Sequence, residues 1–233
     1  MLILGIETAT ARVGCAIGGH EGVLALFEVT RGRRHAEVLA PAIEAALERA
    51  AIGINEIGCV AVDVGPGLFT GLRVGIATAK SLAHALRVPV IGIPSLDLLA
   101  FPLRHSRRGI VAVIDARRGE VYSARYRAVP GGVQRLVEPS VGSADDVAAD
   151  LDASGDEVLL VGDGALRYRE VLGKVKRAEL ADPWLAYPSA APLVQLAHAR
   201  ALREEWVNHW ELEPLYLRKP DAEINWTTRG AQR

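Results

Sequence analysis

Cysteine is scarce in this 233-residue chain, with only Cys15 and Cys59, far apart and without any CxxC pair. That excludes a disulfide framework and a thiolate zinc site, and predicts a reducing compartment. No basic cluster opens the sequence, since Glu7 follows a short apolar run. No apolar stretch approaches the roughly 20 residues that span a bilayer, so the chain is expected to be cytoplasmic and free of membrane contact. A charge excess is also missing. The formal net charge is -1, which argues against a protein that grips nucleic acid through its own phosphate contacts. Two local clusters, Arg31, Arg33 and Arg34, then Arg104, Arg107 and Arg108, read either as solvated loop surface or as local RNA contacts.

Catalytic signatures are absent too. No Gly-x-Ser-x-Gly elbow occurs, which removes the usual serine hydrolase signal. His20, His84, His105, His198 and His209 lack a His or Cys partner at helical spacing, and His35 has Leu39 where a second metal ligand would stand. A metal-dependent peptidase needs converging ligands that this spacing does not supply.

What is present is a clear order of elements. Leu2–Glu7, Val13–Gly18 and Gly22–Val29 form a predicted three-strand meander, followed by a helix at His35–Ala51, a strand at Gly58–Val64, a helix at Thr70–Arg87 and a strand at Pro89–Ile93. The plan then returns. Gly109–Ile114, Glu120–Arg127 and Val133–Val137 are predicted strands, with a helix at Asp145–Leu151, a strand at Glu157–Gly162 and a last helix at Ser189–Trp206 that packs back on the body. This doubled plan places the chain in the α/β class. It resembles the duplicated actin-like fold of the actin, hexokinase and chaperone ATPase superfamily, ribonuclease H-like in each half, with two mixed-sheet lobes and flanking helices. Residues 1–100 are assigned to the first lobe and 101–233 to the second, joined near Pro94 to Arg108.

The most distinctive segment is Gly65-Pro66-Gly67-Leu68-Phe69-Thr70-Gly71-Leu72-Arg73-Val74-Gly75, between a strand and a helix. Such a loop can present backbone N–H groups to an anion. It is neither a dinucleotide fingerprint, having Thr70 where glycine is needed, nor a P-loop, having Gly71-Leu72-Arg73 at its end. The alternative is a tight turn at Pro66 and Gly67 with Thr70 capping the helix. Glu7, Asp63, Asp115 and Asp163 are carboxylates near turns. In an actin-like phosphotransferase a carboxylate ending the first strand holds the metal of a bound nucleotide, and Glu7 occupies that position; carboxylates in turns also serve as backbone caps.

The two first-half helices carry excess apolar surface. On a helical wheel Arg73, Lys80, His84 and Arg87 fall in one stripe, and Glu37, Glu44 and Glu48 in another, with small or apolar residues around the rest. One face of each helix covers the chain's own sheet. The remainder, with Ala42, Ala46, Gly71, Val74, Gly75 and Ala77, either meets a partner protein or is covered by the other helix. If Gly75 lies against the chain's own sheet, a bulky residue there overpacks the core; if it faces a partner, Gly75→Leu leaves the free chain stable and blocks docking.

At this point the glycine segment resembles the signature of the tRNA threonylcarbamoyladenosine biosynthesis protein TsaB (YeaZ) family. The opening Ile3-Leu4-Gly5-Ile6-Glu7-Thr8-Ala9-Thr10, the stretch from His35 to Pro41, Asp115-Ala116-Arg117-Arg118-Gly119-Glu120-Val121-Tyr122 and Pro214-Leu215-Tyr216-Leu217-Arg218 agree in matching order. The resemblance implies a non-catalytic subunit of the machinery that places threonylcarbamoyl on a tRNA adenosine beside the anticodon. It implies a heterodimer with the catalytic relative TsaD through the two first-half helices, with His35, Leu39, Ala42, Ala46, Gly71, Val74, Gly75 and Thr78 as partner-binding candidates. TsaD has a metal-binding His-x-x-x-His where this chain has His35 and Leu39. An ATPase subunit, TsaE, joins the assembly, tRNA is met only through the complex, and a homodimer through the same helices is open to the free chain. No cofactor and no metal are expected. Glu7, Thr8 and Asp115 are the residues of a vestigial nucleotide site, Glu7 standing where the family commonly has Asp. The competing reading is a true actin-like kinase or ATPase.

Overall fold

The computed structural model describes residues 1–30 and 35–218. Arg31, Arg33 and Arg34 lie outside the described residues. The first sheet is built from β1 (Leu2–Glu7), β2 (Val13–Gly19), β3 (Gly22–Val29), β4 (Ile57–Gly65) and β5 (Val90–Pro94), in the order β3-β2-β1-β4-β5. β1 pairs antiparallel with β2 and parallel with β4. The second sheet is formed by β6 (Gly109–Arg117), β7 (Glu120–Val129), β8 (Gly132–Ser143), β9 (Val158–Val161) and β10 (Ala178–Leu180). Its order, β10-β9-β6-β7-β8, is the same arrangement read from the opposite edge. The helices are α1 (His35–Ala50), α2 (Phe69–Leu86), α3 (Ser95–Ala100), α4 (Ala144–Ser154), α5 (Asp163–Arg167), α6 (Arg169–Leu172) and α7 (Ala190–Ala201). Two mixed five-stranded sheets with flanking helices make the duplicated actin-like fold.

β1 and β4 are buried along both faces, which is why their sequences run apolar without alternation. One face packs Leu4, Ile6, Val60 and Val62 against Leu39, Ala42 and Ala46 of α1 and Ile76 and Ala79 of α2. The other packs Ile3, Ala16, Cys59, Ala61 and Ile91 against Leu193, Val194 and Ala197. Those last three belong to α7, so the first sheet is closed by a helix from the far end of the chain. In return Leu96, Leu99 and Ala100 of α3 pack on Ile110, Ala112 and Tyr126 of the second sheet. The two halves therefore exchange a helix. Cys15 and Cys59 are free, buried thiols, both pushed up to about 12 by burial.

The helix expected to end at Trp206 stops at Ala201. Beyond it the chain reaches the edge of the first sheet, where Val207 and Val90 exchange backbone hydrogen bonds of 3.0 and 3.1 Å. No helix among the described residues is long and apolar enough to cross a membrane.

Candidate functional site

The glycine loop and α2 rest on the turn that leaves β1. Leu68 N–H donates to the Ala9 carbonyl at 2.7 Å, and the Thr8 hydroxyl donates to the Gly71 carbonyl at 2.8 Å. A Cβ on Gly67 would sit 2.2 Å from Ala9 O, one on Gly71 2.1 Å from Thr8 O, and one on Gly75 2.2 Å from Thr8 Oγ1. All three glycines are thus required by close approach of α2 and its leading loop to one turn. That turn is enclosed: Glu7, Thr8 and Ala9 are fully buried and Thr10 nearly so. The buried His35 ring joins this enclosure, its Nε2 lying 2.7 Å from the Thr10 carbonyl, an acceptor, so that this nitrogen donates.

The loop's glycines therefore cradle the chain's own backbone, and the anion-cradle alternative does not fit. The helix cap is Leu68, without a side-chain hydrogen bond, and Thr70 stands exposed inside the first turn, so Thr70 is not the cap that the spacing suggested.

Beneath the turn lies a buried acid pair. Glu7 Oε1 accepts the Ala9 N–H at 2.8 Å. Asp63 Oδ1 accepts the Gly65 N–H at 2.8 Å and the Ser95 hydroxyl at 2.6 Å. Glu7 Oε2 and Asp63 Oδ2 have no other partner and both side chains are fully buried. Burial, then the charge of Asp63, raises Glu7 well above the usual carboxylate range; Asp63 is pushed up to about 6, by burial first. A proton held on Glu7 and donated toward Asp63 satisfies both orphan oxygens and leaves one buried charge in place of two.

The second half places Asp115 and Asp163 at the matching end of its sheet. The Asp115 carboxylate accepts the Arg117 N–H at 3.0 Å and is flanked by the guanidinium groups of Arg117 at 3.2 Å and Arg167 at 3.5 Å. Asp163 accepts the Asp115 N–H at 3.1 Å and is pushed up to about 6 by burial. Two guanidinium groups on Asp115 oppose a cation there. Thr8 is sealed and Glu7 holds its own turn. The residues at both positions therefore do not fit a magnesium nucleotide in the actin-like manner, and no group of three or more His, Cys, Asp or Glu placed to hold a metal occurs among the described residues.

The partner-face candidates need correction. Leu39, Ala42 and Ala46 are 1, 1 and 3% exposed, inside the first core. His35 is tied to Thr10, and Gly71 and Gly75 face the β1 turn, so none of these six presents its side-chain position to a partner. The cause is geometric: 18 residues of α2 lie on β4 with Gly71, Leu72, Gly75, Ile76, Ala79 and Ala83 inward. That leaves Thr70, Arg73, Ala77 and Ser81 exposed, flanked by half-buried Val74 and Thr78. α1 and α2 lie side by side on the sheet, and neither covers the other's outer face. Sequence reasoning did not connect Ser95 with Asp63, nor bring His84 and His209 together, because both pairings join residues with no common spacing.

Comparison with known proteins agrees with this architecture. Residues 29–226 match the model of the family described as TsaD: tRNA N6-adenosine threonylcarbamoyltransferase. The tRNA threonylcarbamoyladenosine biosynthesis protein TsaB of Escherichia coli is 30% identical, over 94% of this chain and 95% of its own. The chain belongs to the TsaB family. A Mycobacterium leprae protein described as uncharacterised is 38% identical over 95% of this chain, which spans only 56% of that relative's length. Among solved structures, YeaZ from Pseudomonas aeruginosa superposes with a TM-score of 0.82 at 28% identity, covering 93% of this chain and 99% of that one. The ROK hexokinase from Thermus thermophilus shares the fold alone, with a TM-score of 0.52 at 15% identity and coverage of 88% and 100%.

Proposed function

We propose that this chain is a non-catalytic subunit in tRNA threonylcarbamoyladenosine biosynthesis that docks onto a TsaD-type catalytic relative and supports its acyl transfer. The observation that carries the reading is the sealed β1 turn. The place where an actin-like enzyme handles phosphate and metal is filled by Gly67, Gly71 and Gly75 packed on Thr8 and Ala9, and His35 is engaged with the backbone. Family membership supplies the pathway.

The docking face is the outer surface of α1 and α2. Ala36, Ala40 and Glu44 are exposed on α1, and Thr70, Arg73 and Ala77 on α2, with Val74 and Thr78 at its margin. Small side chains allow close helix approach, and Glu44 of α1 with Arg73 of α2 gives the face a polarity that selects one orientation of its partner. A TsaE-type ATPase joins the assembly, tRNA is met through the complex, and the free chain uses the same face for a homodimer. The lobes are assigned by their sheets to residues 1–100 and 101–233, with α3 and α7 each packed on the other lobe's sheet, and the chain works in the cytoplasm.

The test is reconstitution. The chain with only the adenylate-forming enzyme makes no threonylcarbamoyladenosine, whereas adding TsaD and TsaE restores the product. Product formed without TsaD refutes the reading. The kinase reading predicts micromolar binding of ATP by the isolated chain in calorimetry that depends on magnesium; our reading expects no magnesium-dependent binding.

A further inference from the structure

At the C-terminal end of α2, remote from the β1 turn, the strap that pairs with β5 encloses a cavity of about 720 Å³, lined by His84, Arg87, Trp206, Asn208, His209 and Trp210 among others. That volume falls in the roughly 300–1,000 Å³ range of small-ligand sites. Trp206 and Trp210 are 38 and 64% exposed. The His209 ring is held between His84, 4.9 Å away, and Trp210, 4.8 Å away. The wall is therefore aromatic, with one indole largely open to solvent.

Its charge has one sign. Among the described residues no carboxylate lines the cavity. Two acids of the strap have local partners: Glu205 pairs with Arg203 at 2.6 Å, and Glu211 accepts the Asn208 N–H at 3.1 Å. The carbonyls that end α2, a negative pole, are capped by the Arg87 N–H to Ala83 and His84 and by the Val88 N–H to Ala83. Arg87 has no ion-pair partner among the described residues. An open indole beside an unpaired guanidinium, in a concavity with no acid among its described lining residues, suits a ligand that is flat, apolar on its face and anionic at its edge.

We propose that this cavity binds one unpaired nucleotide, its base stacked on Trp210 and its phosphate on Arg87. The shared chemistry is a nucleobase with a phosphate, whether free or within an RNA strand; the site is separate from the face assigned to the protein partner.

Equilibrium dialysis of the full chain with AMP and fluorescence anisotropy with end-labelled oligoadenylate distinguish the sources. Binding of AMP alone assigns a free nucleotide, and binding of oligoadenylate, with or without AMP, assigns a strand. Trp210→Ala should weaken binding at least about fivefold, the lower end of a base-on-aromatic stack. Arg87→Asn tolerates the left-handed backbone, φ 58°, and should reduce the salt dependence by about one charge. Both substitutions are at solvent-exposed positions, and unchanged thermal melting together with unchanged TsaD pull-down separates this site from the docking reading. Failure of both probes to bind overturns the proposal. So does binding that neither substitution weakens.

Discussion

Adding one methyl group at Gly75 tests the seat of α2 most sharply, because helix propensity and packing predict opposite signs. Alanine is favoured over glycine inside a helix by about 1 kcal/mol. Against that, the new Cβ would lie 2.2 Å from Thr8 Oγ1, in a site where Thr8 is 0% exposed and its hydroxyl is already bonded to Gly71 O at 2.8 Å. Displacing the hydroxyl orphans a buried polar group, at about 1–3 kcal/mol, and forces local overpacking, at about 1–3 kcal/mol. Gly75→Ala should therefore destabilise the chain by about 1–5 kcal/mol. In a Thr8→Ala background the nearest atoms become the residue 8 Cβ at 3.5 Å and Val62 Cγ2 at 3.6 Å, ordinary contacts. There Gly75→Ala should be neutral or stabilising by up to about 1 kcal/mol, a change of sign between backgrounds. Urea midpoints at unchanged m-value measure all four proteins. Stabilisation by Gly75→Ala alone, or the same effect in both backgrounds, refutes the close approach of α2 to Thr8.

Acid should strengthen this fold through its buried carboxyls. Asp63 and Asp163 are raised to about 6 from 3.8, so the folded state binds more protons than the unfolded one. Their contribution is complete below about pH 4 and lost as pH rises through about 6, roughly 3 kcal/mol for Asp63. Asp63→Asn should flatten that part of the pH dependence of the urea midpoint, and an unaltered slope counts against the buried pair. Leu39→His places an imidazole at a position 1% exposed and should cost about 2–4 kcal/mol without creating a metal site; stoichiometric zinc in the purified variant contradicts this. Ala77→Trp, on the exposed face of α2, should change stability by less than about 0.5 kcal/mol yet abolish TsaD capture, and co-purification at the wild-type level removes α2 from the docking face.

Strong periodicity made most elements legible. β1 and β3 run over the residues that their apolar pattern marks, α1 ends one residue earlier than expected, and α2 is shifted by one residue at each end. The short elements were not legible: α5, α6 and β10 have five, four and three residues, less than two full turns of helix or a recognisable strand alternation. The orientation of α2 is not legible for a different reason. Its run of small residues suggests a seam for a partner or for the neighbouring helix, but Gly71 and Gly75 are small because the turn at Thr8 and Ala9, more than 60 positions earlier, comes within contact. Local spacing shows that something must approach a glycine closely, without showing what. The same limit hid the carboxyl pair, since Glu7 and Asp63 meet only through the parallel register of β1 and β4.

The exchange of α3 and α7 sets an order on biosynthesis. β1 leaves the ribosome early, yet its Ile3 face stays open until Leu193, Val194 and Ala197 have been made. At about 5–20 residues per second, that face waits on the order of 10 to 40 s for its cover. The nascent first sheet is therefore a natural client for a holdase throughout synthesis of the second, and a ribosome stalled between the halves releases an incomplete core rather than an independent domain.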